Sequence, residues 1–110
     1  MLDGSLTVTV GDGVVFKLTV TNAGPEPVSI TFRDALRADF AVYAAKGTEV
    51  WRHSDGRLTA QALAEATFAP GETAIFAERW PAPEPGDYTA VGELRLTGDD
   101  RVRAETPFSV

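Results

Sequence analysis

With 110 residues, 44% of them hydrophobic and 24% charged, the chain is long enough to fold around one hydrophobic core and too short for two. Its lack of cysteine excludes disulfide bonds and thiolate metal sites. Its net charge of −6, with ten lysines and arginines scattered along the sequence, predicts a surface that is acidic throughout and argues against a nucleic-acid partner.

The N-terminal sequence Met1-Leu2-Asp3-Gly4-Ser5 has neither the positive charge nor the apolar run of a secretory signal. No apolar stretch approaches the roughly 20 residues that a membrane-spanning helix needs. We therefore expect a cytoplasmic protein that does not enter a membrane. The acidic composition fits two interpretations, ordinary solubility or adaptation to high salt.

Hydrophobic residues recur at every second position in a series of short segments, which is the pattern of strands with one buried face. Taken in chain order, these segments are residues 6–10, 16–21, 28–33, 40–44, 50–51, 66–68, 74–76, 88–97 and 102–110. Turns rich in glycine, proline, asparagine and aspartate separate them. Strands so short and evenly spaced, without intervening helices, predict an all-β fold in a single domain over residues 1–110: an immunoglobulin-like two-sheet β-sandwich of about eight or nine antiparallel strands.

Residues 59–66, Tyr88 and the two tryptophans carry signals besides the alternation of apolar residues. Residues 59–66 are rich in alanine, and their spacing permits either a helical turn or a strand; we predict a strand. Tyr88 follows the turn Pro85-Gly86-Asp87. Its position resembles that of the tyrosine in immunoglobulin-like domains whose hydroxyl ties a sheet corner to the backbone. Of the two tryptophans, we assign Trp80 to the core, whereas Trp51 fits the core and an interface equally well.

The sequence offers few candidate residues for catalysis. The single histidine, His53, stands beside Ser54 and Asp55, but adjacent residues seldom converge into a catalytic triad, and we interpret this stretch as a loop. The acidic pair Asp99-Asp100 lacks the spacing of a calcium loop and is interpreted as a hairpin tip. We therefore expect a protein that binds another protein, is not an enzyme, and uses no metal and no cofactor.

Several stretches in series resemble the family of intracellular proteinase inhibitors typified by the bacterial BsuPI protein. The resemblance spans roughly residues 14–96 and is carried by Leu18-Thr19-Val20-Thr21-Asn22, Val28-Ser29-Ile30-Thr31-Phe32, Asp39-Phe40-Ala41-Val42, Lys46-Gly47-Thr48-Glu49-Val50-Trp51-Arg52-His53-Ser54, Phe68-Ala69-Pro70-Gly71-Glu72 with Trp80, and Pro85-Gly86-Asp87-Tyr88. It implies an immunoglobulin-like fold and inhibition of an intracellular serine protease of the subtilisin type. Most of the matching residues are typical of strand cores and turns, so the resemblance implies the architecture more firmly than the activity.

A sandwich can inhibit a protease by presenting a stiff, extended loop to the protease cleft. Two segments offer an apolar residue beside an arginine: Arg57-Leu58, and Leu36-Arg37. Either could place its leucine in an apolar specificity pocket, and the stiff run of residues 81–85 is a third candidate. The alternative function is a generic immunoglobulin-like module that binds some other protein, for instance through a sheet edge, without inhibiting it. The sequence leaves the oligomeric state open, and a monomer is the default expectation.

Overall fold

The computed structural model describes residues 2–98 and 101–110, and these residues form nine β-strands and no helix. The strands are β1 (Leu2–Val10), β2 (Val14–Asn22), β3 (Val28–Phe32), β4 (Ala38–Ala44), β5 (Glu49–Arg52), β6 (Ala64–Phe68), β7 (Thr73–Trp80), β8 (Asp87–Leu94) and β9 (Arg103–Ser109). Every predicted segment overlaps one of these strands, and all paired strands run antiparallel. The predicted all-β fold is confirmed.

Hydrogen bonds divide the strands into a three-stranded sheet, β1-β2-β7, a four-stranded sheet, β5-β4-β8-β9, and the pair β3-β6. The alternation seen in the sequence explains how they pack. The inward side chains of β2, from Val14 to Val20, are fully buried, and they meet Phe40 and Val42 of the four-stranded sheet. The result is a sandwich, compatible with the immunoglobulin-like arrangement, whose core lies between the sheets.

An aromatic cluster fills one half of this core. The Phe16 ring lies 6.1 Å from Phe40 and 5.7 Å from Trp51, and Trp51 in turn stacks 6.1 Å from Trp80. Trp80 is buried, as predicted, and the half-buried Trp51 packs against the same cluster. Both indoles therefore contribute to the core.

The predicted tyrosine corner is present. The Tyr88 hydroxyl donates a hydrogen bond to the Glu84 carbonyl oxygen at 2.6 Å. Residues 81–86, which include the proline-rich run, carry the chain from β7 in the three-stranded sheet to β8 in the four-stranded sheet. This segment therefore serves as a crossover between sheets, and the hydrogen bond of the Tyr88 hydroxyl fixes the end of the segment that leads into β8.

The prediction of a strand over residues 59–66 is wrong for residues 59–63. Only residues 64–66 join β6, and the preceding five residues have no regular structure. Here the chain leaves the four-stranded sheet at β5 and crosses to the pair β3-β6, and a segment that passes from one sheet to another is not part of either ladder. The Ala60 carbonyl oxygen instead accepts hydrogen bonds from the Ala35 and Ala62 amides.

Strand β4 departs from the alternating pattern because both of its faces are covered near its start. Residues 38–42 are all buried, including the carboxylate of Asp39, which is only 2% exposed. A charged group in such a place must be satisfied by hydrogen bonds or an ion pair to be tolerated. Its partners come from β4 itself, from β5 and from the loop after β5.

Candidate functional site

The two candidate loops lie side by side. Residues 33–37 connect β3 to β4, and residues 53–63 connect β5 to β6. The Ala35 amide donates a hydrogen bond to the Ala60 carbonyl oxygen at 3.1 Å, and a cavity of about 480 Å³ lies between the two segments. The structure thus brings both sequence-predicted pairs, Leu36-Arg37 and Arg57-Leu58, to one face of the sandwich, which we call the loop face.

The buried Asp39 carboxylate anchors the start of the longer loop. Its Oδ1 accepts hydrogen bonds from the Phe40 amide at 2.9 Å and the Ser54 amide at 3.0 Å. Its Oδ2 accepts from the Ser54 hydroxyl at 2.7 Å and from Arg52 Nη1 at 3.0 Å. Four donors, from β4, from β5 and from the loop that follows β5, therefore converge on one carboxylate, which satisfies its charge and fixes where the loop leaves β5.

A second ion pair holds the shorter loop. Arg95 donates from Nε and Nη2 to Asp34 Oδ2, at 2.9 and 2.7 Å, and the other Asp34 oxygen accepts from the Leu36 amide. The hydrogen bonds from Arg95 hold the pKa of Asp34 below its ordinary value. The Arg95 amide also donates to the Arg37 carbonyl oxygen at 2.7 Å. Residues 33–37 are therefore fixed from both the side chain and the backbone of Arg95.

Leu36 and Arg37 both have contacts within the protein, although Arg37 is exposed. Leu36 is half-buried and lines a small cavity with Phe40 and His53. Arg37 has a left-handed backbone, with φ of 66°, and its guanidinium lies 5.4 Å from the centre of the Phe32 ring. This pair therefore has structural contacts of its own, which leaves it a weaker candidate for contacting a partner.

Leu58 is the most prominent apolar side chain on the loop face. Its relative exposure of 104% means that it has no covering neighbour at all. On its N-terminal side, Arg57 Nε donates to the His53 carbonyl oxygen at 2.8 Å, and two residues beyond it Ala60 is bonded to the shorter loop. Leu58 is thus held out into solvent between two fixed points.

His53 and Ser54 have structural partners. His53 is buried, and its Nε2 lies 3.1 Å from Glu78 Oε2 on β7, whereas the Ser54 hydroxyl donates to Asp39. The two side chains therefore point to different carboxylates, as expected of a loop and not of a triad. Burial lowers the pKa of His53, and the charge of Arg57 adds to the lowering, although the carboxylates of Glu78 and Asp39 oppose it.

This lowered pKa predicts how stability depends on pH. The unfolded chain has a histidine of pKa about 6.5, so below that pH the unfolded state binds a proton that the folded state does not. We expect the free energy of unfolding to have its full value above about pH 6.5 and to fall as the pH drops toward the folded-state pKa of His53. Urea unfolding at several values between pH 7.5 and 5 measures the slope of the free energy of unfolding against pH.

His53 is the single histidine, so the variant His53→Gln is the natural control. It should remove the slope in this window, while loss of stability from Asp34 protonation begins only at lower pH. A proton NMR titration that placed the His53 pKa above 6.5 would contradict the prediction.

Sequence reasoning missed the Asp39 network because it depends on contacts between distant segments. One signal was available: Asp39 interrupts an otherwise apolar strand, and a carboxylate there needs partners. The predicted hairpin tip Asp99-Asp100 lies outside the described residues.

The structure is thus a β-sandwich with two neighbouring loops fixed by hydrogen bonds and one fully exposed leucine, Leu58, on the longer loop. The model of the family described as BsuPI, intracellular proteinase inhibitor, matches residues 2–98, nearly the whole chain. The chain belongs to this family of proteinase inhibitors. No curated protein matches it in sequence. Among residues 2–98 and 101–110 there is no helix able to span a membrane.

Solved structures of similar fold are larger proteins. A penta-heme cytochrome c552 from Thermochromatium tepidum matches with a TM-score of 0.58 and 13% identity, over 97% of this chain and 39% of its own. A beta-glucosidase from Kluyveromyces marxianus matches with a TM-score of 0.51 and 15% identity, over 100% of this chain and 14% of its own. This chain therefore corresponds to one portion of each, and identities this low show the shared fold alone.

Proposed function

We propose that this protein inhibits a subtilisin-type serine protease in the cytoplasm by reversible occlusion, with residues 53–63 as the segment that contacts the protease. Membership of the proteinase inhibitor family supports the activity, and the geometry of the loop face supports the segment. In this proposal the binding partner is the target protease, and the inhibitor contributes no catalytic group to the complex.

The observation that carries the proposal is the full exposure of Leu58 on an anchored loop. An exposed leucine gains roughly 1.5–3 kcal/mol when it enters an apolar pocket. A loop that is already fixed loses little further conformational entropy on binding, so more of that gain appears as affinity. The bonds of Arg57 to the His53 carbonyl and of Ala60 to Ala35 provide this fixation.

The alternative is a module that pairs through a sheet edge, and one of these edges, β5, has features that oppose such pairing. The edge strand β5 is four residues long, and its pairing with β4 shifts register between Val42 and Tyr43. Short edges and irregular pairing are features by which proteins discourage strand addition. Strand addition at the β5 edge is therefore disfavoured, whereas β1, β7 and β9 are the other outer strands of the two larger sheets.

The test is inhibition of a panel of purified intracellular subtilisin-type proteases by the purified full chain, at low and at high salt. We expect at least one protease to lose activity at a stoichiometric amount of inhibitor, with activity recovered on dilution. A panel without inhibition at either salt concentration would contradict the proposal. In that case the generic binding module would be the better account.

A further inference from the structure

The cavity on the loop face gathers positive charge. It is lined by three of the eight arginines, Arg33, Arg57 and Arg95, together with the carboxylate of Asp34. Three guanidinium groups and one carboxylate give this part of the lining a formal charge of +2, on a chain whose net charge is −6. An acidic protein thus has a local basic site where its two candidate binding loops meet.

Two of these arginines retain hydrogen-bond donors for a ligand. Arg95 is committed to Asp34, but Arg57 uses only Nε, on the His53 carbonyl oxygen. Within residues 2–98 and 101–110, no carboxylate forms an ion pair with Arg33 or with Arg57, and both side chains are exposed. Two guanidinium groups with unused N–H donors therefore line the same cavity.

We propose that this cavity binds the carboxylate of an aspartate or glutamate side chain from the protein partner. Arginine donors recognise a carboxylate in fixed, often bidentate geometry. A volume of about 480 Å³ admits such a side chain together with water. The proposal rests on the loop face binding a protein, and not on inhibition as such.

The position of Leu58 favours a protein as the source of the carboxylate. Its chain neighbours, Arg57 and Thr59, both line the cavity, while Leu58 itself points into solvent. A partner surface that covers Leu58 therefore comes close to two residues of the cavity lining, Arg57 and Thr59. An acidic residue at that place on the partner would pair with Arg33 and Arg57, adding specificity to the apolar contact.

The test is an NMR titration of the isotope-labelled full chain with two blocked peptides, acetyl-Gly-Glu-Gly-amide and acetyl-Gly-Gln-Gly-amide. We expect the glutamate peptide to shift the amide signals of residues 33–37 and 54–61 saturably, and the glutamine peptide to bind at least about tenfold more weakly. The double variant Arg33→Gln/Arg57→Gln should weaken glutamate binding by at least about tenfold. The control Lys46→Gln removes one exposed positive charge beyond the other end of β4 and should leave binding unchanged.

Equal binding of the two peptides, or unchanged binding in the double variant, would overturn the proposal. Inorganic phosphate is the third probe. If it displaced the glutamate peptide at a concentration below that of the peptide, the cavity would be a site for free oxyanions and the proposal would fail. No protease is present in these titrations, so a failure here and a failure of the inhibition panel are separate results.

Discussion

The variant Asp39→Asn is expected to lower the free energy of unfolding by about 3 kcal/mol, because it removes the charged partner of a buried network. Each oxygen of the Asp39 carboxylate accepts two hydrogen bonds, from backbone amides on one side and from Ser54 and Arg52 on the other. Whichever way the asparagine amide turns, its NH₂ group faces donors that have lost their acceptor. The penalty combines that repulsion with an Arg52 charge left without its buried partner.

Urea unfolding of wild type and variant measures this difference, on the assumption of two-state behaviour usual for a domain of this size. Asp12→Asn provides the matched control, since Asp12 is exposed in the turn between β1 and β2 and its backbone carbonyl oxygen, not its carboxylate, accepts the hydrogen bond from Arg79. The control should stay within about 0.5 kcal/mol of wild type. If the free energy of unfolding of Asp39→Asn also stayed within about 0.5 kcal/mol of wild type, the anchoring of the loop face by Asp39 would be disproved.

The variant Leu58→Ala is expected to raise the inhibition constant by at least about 30-fold, which is the effect of losing an interface residue that contributes 2 kcal/mol. Stability should remain within about 0.5 kcal/mol of wild type, because the fully exposed Leu58 side chain has no folded-state packing to lose. The combination separates a binding residue from a structural one. Titration of the sensitive protease with each variant gives the inhibition constants.

Ile75→Ala is the control for this experiment. Ile75 is also an exposed large aliphatic residue, with 63% relative exposure, but it lies on β7 and outside the two loops, residues 33–37 and 53–63. Its truncation should leave inhibition unchanged. Equal inhibition by Leu58→Ala and wild type would remove Leu58 from the contact surface even if inhibition itself is real.

Much of the fold was predictable because alternation of apolar and polar residues is a local signal. The inward residues of β2, at positions 14, 16, 18 and 20, are fully buried in the sandwich, and the Tyr88 corner forms where the turn sequence placed it. The pattern fails at β4, where residues 38–42 are buried on both faces. It fails there because Asp39 is covered by Arg52 of β5 and Ser54 of the following loop, and such contacts between distant segments leave no periodic signal.

The site was only half predictable for the same reason. The sequence offered Leu36-Arg37 and Arg57-Leu58 as separate candidates, and only the pairing of β3 with β6 and of β4 with β5 shows that they share a face. The expectation of a surface acidic throughout is wrong at this face. Arg33, Arg57 and Arg95 are far apart in the chain, and the fold brings them to one cavity.

Photo-crosslinking from position 58 tests the central claim most directly. Leu58 is replaced by p-benzoylphenylalanine in the full chain, with Lys46 replaced in the same way as the control, and the protein crosslinked in native lysate is identified. We predict that a subtilisin-type serine protease is captured from position 58 and not from position 46. Capture of a protein other than a protease, or equal capture from both positions, would contradict the claim that this protein inhibits proteases through its loop face.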